Sequence, residues 1–233
     1  MTAHDTNVHF HDELDHLERT VLGIVDQAER MVQMAVEAVT GGDLELAAQV
    51  ISMDSEIDAA YLAVHEEWTN LMARNQPLGS DLRKMTVLLQ LNMTFSRMGD
   101  QCANIAKVAQ LNEDLPQVER ITEQIREMGD LVRPMIRTAI DAYVRQDVDE
   151  ARLLPSMDQP VDRLNANMYK ETVAVRANPG QLEWATKMMM AARALERIGD
   201  QAVDFAEQAA YLVTGERAEF DEQGIAKSPH DGQ

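Results

Sequence analysis

Acidic side chains recur four residues apart in this chain, and that spacing stacks residues on one face of a helix. The rows are Asp54 and Asp58; Asp158 and Asp162; and Glu196, Asp200 and Asp204. Like charges at this spacing destabilise a helix slightly, and a cation between two rows would remove the repulsion. Carboxylate oxygens suit hard or borderline metal ions. The rows therefore predict a site for Mg, Mn, Fe or Zn.

A motif, Arg-x-Gly-Asp-Gln, occurs twice, at residues 97–101 and 197–201, and its second copy overlaps the row of Glu196, Asp200 and Asp204. Gly inside an exposed helix costs about 1 kcal/mol relative to Ala. Something must therefore favour a bare backbone at Gly99 and Gly199. Two explanations are open: a neighbouring helix approaches closely, or an ion or a partner needs access.

A simpler interpretation of the same residues is a solvated helix face. In a chain with 40 acidic residues, pairs of carboxylates four apart arise easily without binding a metal. Arg97 could pair with Asp100, and Arg197 with Asp200, at a spacing of three residues. The repetition of an unfavourable Gly in both halves favours a specific binding site over a solvated face.

The elements that would carry these residues are long helices. Hydrophobic residues make up 45% of the chain but aromatic residues only 4%, with 15 Met, a composition that favours helices over sheets. Apolar residues recur at helical spacing, and Gly, Asn and Pro mark the ends of the predicted helices. The predicted helices cover about 12–39, 43–74, 78–111, 117–145, 148–177 and 181–212. Pro134, Pro155 and Pro160 fall inside them and predict kinks or local breaks.

The helices form two similar halves. Residues 53–58 recur as 157–162, and the Arg-x-Gly-Asp-Gln motif recurs about 100 residues later. That period is too long for a solenoid and fits duplication of a three-helix unit. We therefore predict an all-α fold of two tandem, similar three-helix bundles. Their ranges are 12–113 and 116–214, followed by a mobile tail over 215–233.

Charge and composition exclude several functions. Lys and Arg number 21 against 40 Asp and Glu, a net charge of −19 over 233 residues, which disfavours binding to nucleic acid or to anionic lipid. A single cysteine, Cys102, suits a reducing cytoplasm. The chain start shows no secretory signal, and no apolar run is long enough to span a membrane. We expect a cytoplasmic protein.

Three features together resemble the PhoU family of phosphate-signalling proteins. They are Glu-Arg-Ile-Gly-Asp at 196–200, Asn-Gln-Pro at 75–77 followed by Asp-Leu-Arg at 81–83, and the duplicated layout. The resemblance implies two three-helix bundles, dimerisation, and acidic motifs that bind multinuclear iron or other metals in some members. It implies no organic cofactor.

The resemblance also implies a non-enzymatic role in repressing the phosphate-starvation response. Members of the family link the ATPase of the phosphate-specific ABC transporter to a membrane sensor histidine kinase. Such a protein would act at the inner face of the membrane through its partners, without inserting into the membrane.

Carried over by residue, the resemblance makes the second half the stronger metal site. There, Glu196, Asp200 and Asp204 would be ligands facing Asp158 and Asp162. Gly199 would permit close approach, and Arg197 would orient Asp200 or pair with it.

The first half keeps fewer acidic groups at the corresponding positions. Ser96 replaces the acidic residue before Arg97, and Asn104 stands where the second half has an Asp. The ligands that remain are Asp54, Asp58, Asp100 and Asn104.

The Asp-Leu-Arg motif, with Asp81 and Arg83, has no counterpart in the second half and would serve the first half alone. Its structural alternative is a helix N-cap supplied by Ser80 or Asp81.

Two other functions compete with this interpretation. A di-metal carboxylate enzyme would use the spacing of Glu13 and His16, but a ferritin-like site needs a second Glu-x-x-His, and the sequence has none. A structural helical adaptor would bind no metal and would tolerate changes in the acidic rows.

Overall fold

The computed structural model describes residues 3–221 and 223–226, with side chains from residue 9 onward. Within these residues the chain forms helices only, apart from one isolated bridge pair near its end. The helices are α1 (Ala3–Gly41), α2 (Leu44–Asn75), α3 (Ser80–Leu111), α4 (Glu119–Arg145), α5 (Val148–Ala151), α6 (Leu154–Ala174) and α7 (Pro179–Thr214).

The helices pack as two three-helix bundles, which confirms the predicted fold class. Helices α1, α2 and α3 contact one another, and so do α4, α6 and α7, with α5 as a short turn against α4 and α7. Each bundle buries one apolar stripe of each helix, because no helix of this length can hide its apolar face alone.

The same turn joins the first two helices of each half. Asp43 and Asp147 are N-caps whose carboxylates accept hydrogen bonds from backbone N–H groups of α2 and α5. The residues before them, Gly42 and Gln146, have positive φ angles of 67° and 54°. This turn satisfies helix ends that would otherwise leave donors unpaired.

The segment predicted over 148–177 is broken near Pro155, as that proline predicted, and it ends at Ala174. Helix α5 ends at Ala151, and α6 begins at Leu154 with Pro155 in its first turn, where the missing N–H costs nothing. Pro134 and Pro160 remain inside α4 and α6. Pro134 is exposed, so water can reach the carbonyl that loses its donor.

Helices α3 and α7 run antiparallel and join the two halves. The carbonyl of Leu111 at the end of α3 accepts a 2.8 Å hydrogen bond from Lys187 near the start of α7. Farther along, the rings of Phe95 and Phe205 meet edge to face, 5.4 Å apart, and both side chains are fully buried. Helices α1 and α4 form a second contact between the halves.

The predicted tail, 215–233, has one buried apolar side chain among its described residues. Phe220 is 8% exposed, and its N–H donates a 2.7 Å hydrogen bond to the carboxylate of Glu207. The backbone N–H of Asp221 donates to the carbonyl of Ile225. Residues 222 and 227–233 lie outside the described residues.

Among the described residues, no helix combines the length and apolar character that a membrane crossing requires.

Candidate acidic site at two helix crossings

In each half, a carboxylate of one helix lies against the Gly of the repeated motif. A Cβ on Gly99 of α3 would come 2.9 Å from Oδ1 of Asp54 on α2. The equivalent Cβ on Gly199 of α7 would come 2.4 Å from Oδ1 of Asp158 on α6. Any side chain at these two positions would displace the carboxylate, which favours close approach as the explanation for the glycines.

Burial and neighbouring charges make both of these carboxylates hard to ionise. Burial raises the pKa of Asp158 to about 7, with Asp162, Asp200 and Glu196 adding repulsion. In the first half, burial raises the pKa of Asp54 to about 6. The charges of Asp100 and Asp58 contribute to that shift. The Oδ1 atoms of Asp158 and Asp54 are buried and have no hydrogen-bond partner among the described residues.

Two members of the acidic row of α7, Glu196 and Asp200, face the same place in the second half. Glu196 is 7% exposed, and its Oε2 lacks a hydrogen-bond partner among the described residues. Burial, together with the charge of Asp200, raises the pKa of Glu196. Partial burial also raises the pKa values of Asp200 and Asp204. The charges of Asp162, Asp200 and Glu196 therefore repel that of Asp158, as the spacing predicted, whereas Asp204 lies near Arg97 and Glu219.

One basic residue of this site was missed by the sequence interpretation. Arg193 donates a short hydrogen bond to Oε1 of Glu196, one turn along α7. The signal was present in the sequence, because a spacing of three residues places an Arg beside a Glu on one helix face.

The predicted pair of Arg197 and Asp200 is absent as a direct contact within the described residues. Both side chains are exposed, and the Arg197 charge only lowers the Asp200 pKa against the larger effect of burial. Arg97 of the first half instead influences an acidic residue of the second half, because its charge lowers the pKa of Asp204 on α7.

The first-half site differs at both positions where the sequence departs from the second half. Ser96, at the position that corresponds to Glu196, donates a 3.3 Å hydrogen bond to Asp58. Asn104, at the position of Asp204, is exposed and lines a groove together with Arg197. The first site therefore holds less negative charge.

The donor chemistry fits a hard cation, but the ligand geometry is incomplete. Buried carboxylate oxygens without hydrogen-bond partners are what a cation would satisfy. Over residues 3–221 and 223–226, however, no three His, Cys, Asp or Glu side chains are gathered closely enough to hold a metal ion.

The predicted cap of α3 is wrong. The N-cap residue is Gly79, and neither Ser80 nor Asp81 caps the helix with its side chain. Asp81 instead lies 3.5 Å from Nε2 of His11 on α1.

Arg83 connects the start of α3 to the end of α7. Its Nη1 donates a 3.3 Å hydrogen bond to the carbonyl of Leu212, and its guanidinium lies 5.8 Å from the ring centre of Tyr211. A cation at a helix C-terminus satisfies a terminal carbonyl and opposes the helix dipole. Arg83 therefore has a structural role, because it holds the start of α3 against the end of α7.

The contact between Gly199 and Asp158 predicts opposite effects for two Gly→Ala substitutions. Gly23→Ala should stabilise the protein by about 0.5–1 kcal/mol, since nothing lies near its Cβ. Gly199→Ala should lose up to about 2 kcal/mol, because overpacking costs about 1–3 kcal/mol and exceeds the helix gain. Urea unfolding measures both. Equal stabilisation by the two substitutions would contradict the packing role, and Gly199→Ala should become favourable in an Asp158→Ala background.

The raised pKa of Asp158 predicts how stability changes with pH. The folded chain keeps a proton on Asp158 up to about pH 7, while the ordinary value is 3.8. The free energy of unfolding should therefore fall as the pH rises through that window. Asp158→Asn should flatten the dependence and raise stability at pH 8 in EDTA. Urea titrations from pH 4 to 8 test this, with exposed Asp130→Asn as the control; an unchanged slope in Asp158→Asn would contradict it.

Comparison with protein-family models identifies both halves. A family model described as the PhoU domain matches residues 21–109 and again 125–209. The two matches carry the two Gly–Asp crossings, one in each half.

Relatives and solved structures span both halves as well. A phosphate-specific transport system accessory protein PhoU homolog from Pseudomonas putida is 33% identical, over 91% of this chain and 84% of its own length. One from Caulobacter vibrioides is 30% identical, over 93% of this chain and 94% of its own.

The crystal structure of PhoU from Pseudomonas aeruginosa superposes with a TM-score of 0.83, at 32% identity. The superposition covers 89% of this chain and 100% of the Pseudomonas aeruginosa chain. A phosphate transport system regulatory protein PhoU from Streptococcus pneumoniae superposes with a TM-score of 0.81, at 26% identity over 91% of this chain and 100% of that chain. The family model, the relatives and the folds agree over both halves, and this chain belongs to the PhoU family.

Proposed function

We propose that this protein is a non-enzymatic regulator of phosphate uptake that represses the phosphate-starvation response. In this role it couples the ATPase of the phosphate ABC transporter to a sensor histidine kinase at the inner face of the membrane. The observation that carries the proposal is the match of both halves to relatives named as accessory proteins of the phosphate-specific transport system. A helical body with long exposed faces is suited to contacting two proteins at once.

The described structure offers little support for the alternative of a di-metal enzyme. Glu13, which the enzyme would need as a ligand, lies 3.0 Å from Arg74 in an ion pair. Relatives named as accessory proteins also favour a role without catalysis.

We further propose that the acidic crossing of the second half holds a divalent cation. Asp158, Asp162, Glu196, Asp200 and Asp204 would supply the oxygens. The buried unpartnered oxygens of Asp158 and Glu196 support this, as does the mutual repulsion that a cation would remove. The weaker first-half set, Asp54, Asp58, Asp100 and Asn104, would bind less tightly. A metal-free adaptor is the competing state, with a proton on Asp158 in place of a metal.

The regulatory proposal predicts the phenotype of a deletion strain. In phosphate-rich medium, a strain without this gene should express phosphate-starvation genes constitutively, because the kinase would no longer be restrained. Alkaline phosphatase activity, or a reporter for a phosphate-starvation promoter, measures the effect. The wild-type gene on a plasmid should restore repression and an empty plasmid should not. Unchanged reporter output in the deletion strain would reject the proposal.

The cation proposal predicts a difference between the two halves in metal content. Asp200→Asn/Asp204→Asn should lose more bound metal than Asp54→Asn/Asp100→Asn, since the second half has the more complete acidic set. Mass spectrometry of protein purified without a His tag measures metal per chain. Glu123→Gln/Asp130→Asn, which removes two exposed carboxylates of α4, is the control. Equal metal content in wild type and the second-half variant would favour the metal-free adaptor.

Dimerisation is also part of the proposal, as the family resemblance implies. Sedimentation of the purified chain measures the oligomeric state directly and is needed to interpret the docking experiment below.

A further inference from the structure

The seam between α3 and α7 contains a groove of about 540 Å³. We call it the seam groove and define it by Asn104, Lys107 and Leu111 of α3 together with Met190, Arg193 and Arg197 of α7. Its walls are largely apolar, and its charged lining residues are all basic. In a chain of net charge −19, a basic apolar groove is a local exception.

The basic character of the groove follows from one departure in the duplication. Residues 97 and 104 of the first half correspond to 197 and 204 of the second. Arg97 faces Asp204 across the seam, and its charge lowers the Asp204 pKa. The corresponding pair is Arg197 with Asn104, and both line the groove. Because Asn carries no charge, Arg197 receives no acidic partner from α3.

A second position reinforces the same asymmetry. Lys107 in the groove corresponds to Glu207 at the other end of the seam, so a cation stands where the second copy has an acid. Neither Lys107 nor Arg197 makes an ion pair within 4 Å in the part of the chain that the structure describes, whereas Arg193 is paired with Glu196. Both side chains are exposed, and the acidic groups that they affect, Asp54 for Lys107 and Glu196 and Asp200 for Arg197, lie beyond ion-pair distance.

The protein's own tail shows what covers the equivalent surface at the other end. Met190, Arg193, Arg197, Asp204 and Glu207 share one face of α7, because they are separated by three, four or seven residues. The tail lies on the C-terminal part of that face, where Phe220 is buried and its N–H donates to Glu207. The N-terminal part of the face is the seam groove.

The covering segment has a recognisable chemistry. Around the buried Phe220 anchor, the segment 215–221 carries Glu216, Glu219 and Asp221 against one basic residue, Arg217. A segment with such an anchor and acidic neighbours would suit the seam groove better than the end of the seam at Asp204 and Glu207. In the groove, the positive charges of Lys107 and Arg197 would attract its carboxylates.

The shape of the groove favours a protein segment over a small molecule. Leu111 is 53% exposed and Met190 is 58% exposed, so the rim is open. Small-molecule sites bury most of their ligand's surface. An open groove with an apolar floor suits a peptide that places one face in the groove. Methionine side chains adapt to different anchors.

We propose that the seam groove docks a short acidic segment of a partner protein, with an apolar anchor on Leu111 and Met190 and carboxylates on Lys107 and Arg197. The proposal rests on the proposed function only in assuming a protein partner. The regulatory role is tested in cells and the groove with purified protein, so either can fail alone.

Selection of random peptides displayed on phage, using the purified full chain, tests the groove. Enriched peptides should combine Phe or Leu with flanking Asp and Glu. In fluorescence anisotropy, they should bind Lys107→Glu/Arg197→Glu about tenfold or more weakly, and binding should weaken with salt. Arg163→Glu/Lys170→Glu, with the same charge change at exposed positions of α6, should bind as the wild type does. Lys107→Gln/Arg197→Gln gives a milder variant if the reversal fails to fold.

Three results would overturn the docking proposal. The first is that no peptide is enriched, or that the enriched peptides are neutral or basic. The second is an equal loss of binding in the α6 control, because the weaker binding would then be explained by the net charge of the protein and not by the groove. The third is conversion of a dimer to a monomer by Lys107→Glu/Arg197→Glu in sedimentation, which would assign the groove to a second copy of this chain.

Discussion

The contact between a buried Asp carboxylate and a bare Gly backbone organises both halves of this protein. Asp158 approaches α7 so closely that a single Cβ on Gly199 would collide with its oxygen, and Asp54 repeats the contact more loosely at Gly99. This contact requires a glycine at the crossing, and it removes a carboxylate oxygen from water. The raised pKa of the carboxylate and the demand for a proton or a cation follow from the same burial.

The two halves use the same contact under different electrostatic conditions. In the second half, the crossing is surrounded by Glu196, Asp200 and Asp162, which add to the cost of ionising Asp158. In the first half, a serine replaces the Glu and an asparagine replaces an Asp, so the repulsion is smaller. One of these changes, Asn104, also removes a counter-charge from the seam between the halves. A duplication can thus keep its packing while its two copies diverge in charge.

Much of the fold could be predicted because the signals are local. Helix ends follow from Gly, Asn and Pro, and the duplicated capping turns at Asp43 and Asp147 follow from side-chain hydrogen bonds within a few residues. Pro155 predicted an interruption near Ala151 but left its form open, because a proline is compatible with both a kink and a new helix start. The burial of Phe220 was not predictable, because it is a single apolar residue whose burial depends on a helix distant in the sequence.

The sequence by itself determined the helical class, the duplication and the acidic rows, since each depends on spacing along one helix. Only the tertiary structure decided which groups meet across helices: that Asp158 lies on Gly199, that Arg83 reaches the end of α7, and that Arg97 acts on Asp204 instead of its own neighbour. The reason is physical. A helix places residues three and four apart by its own geometry, whereas the rotation and separation of two helices are set by side-chain packing over their whole length.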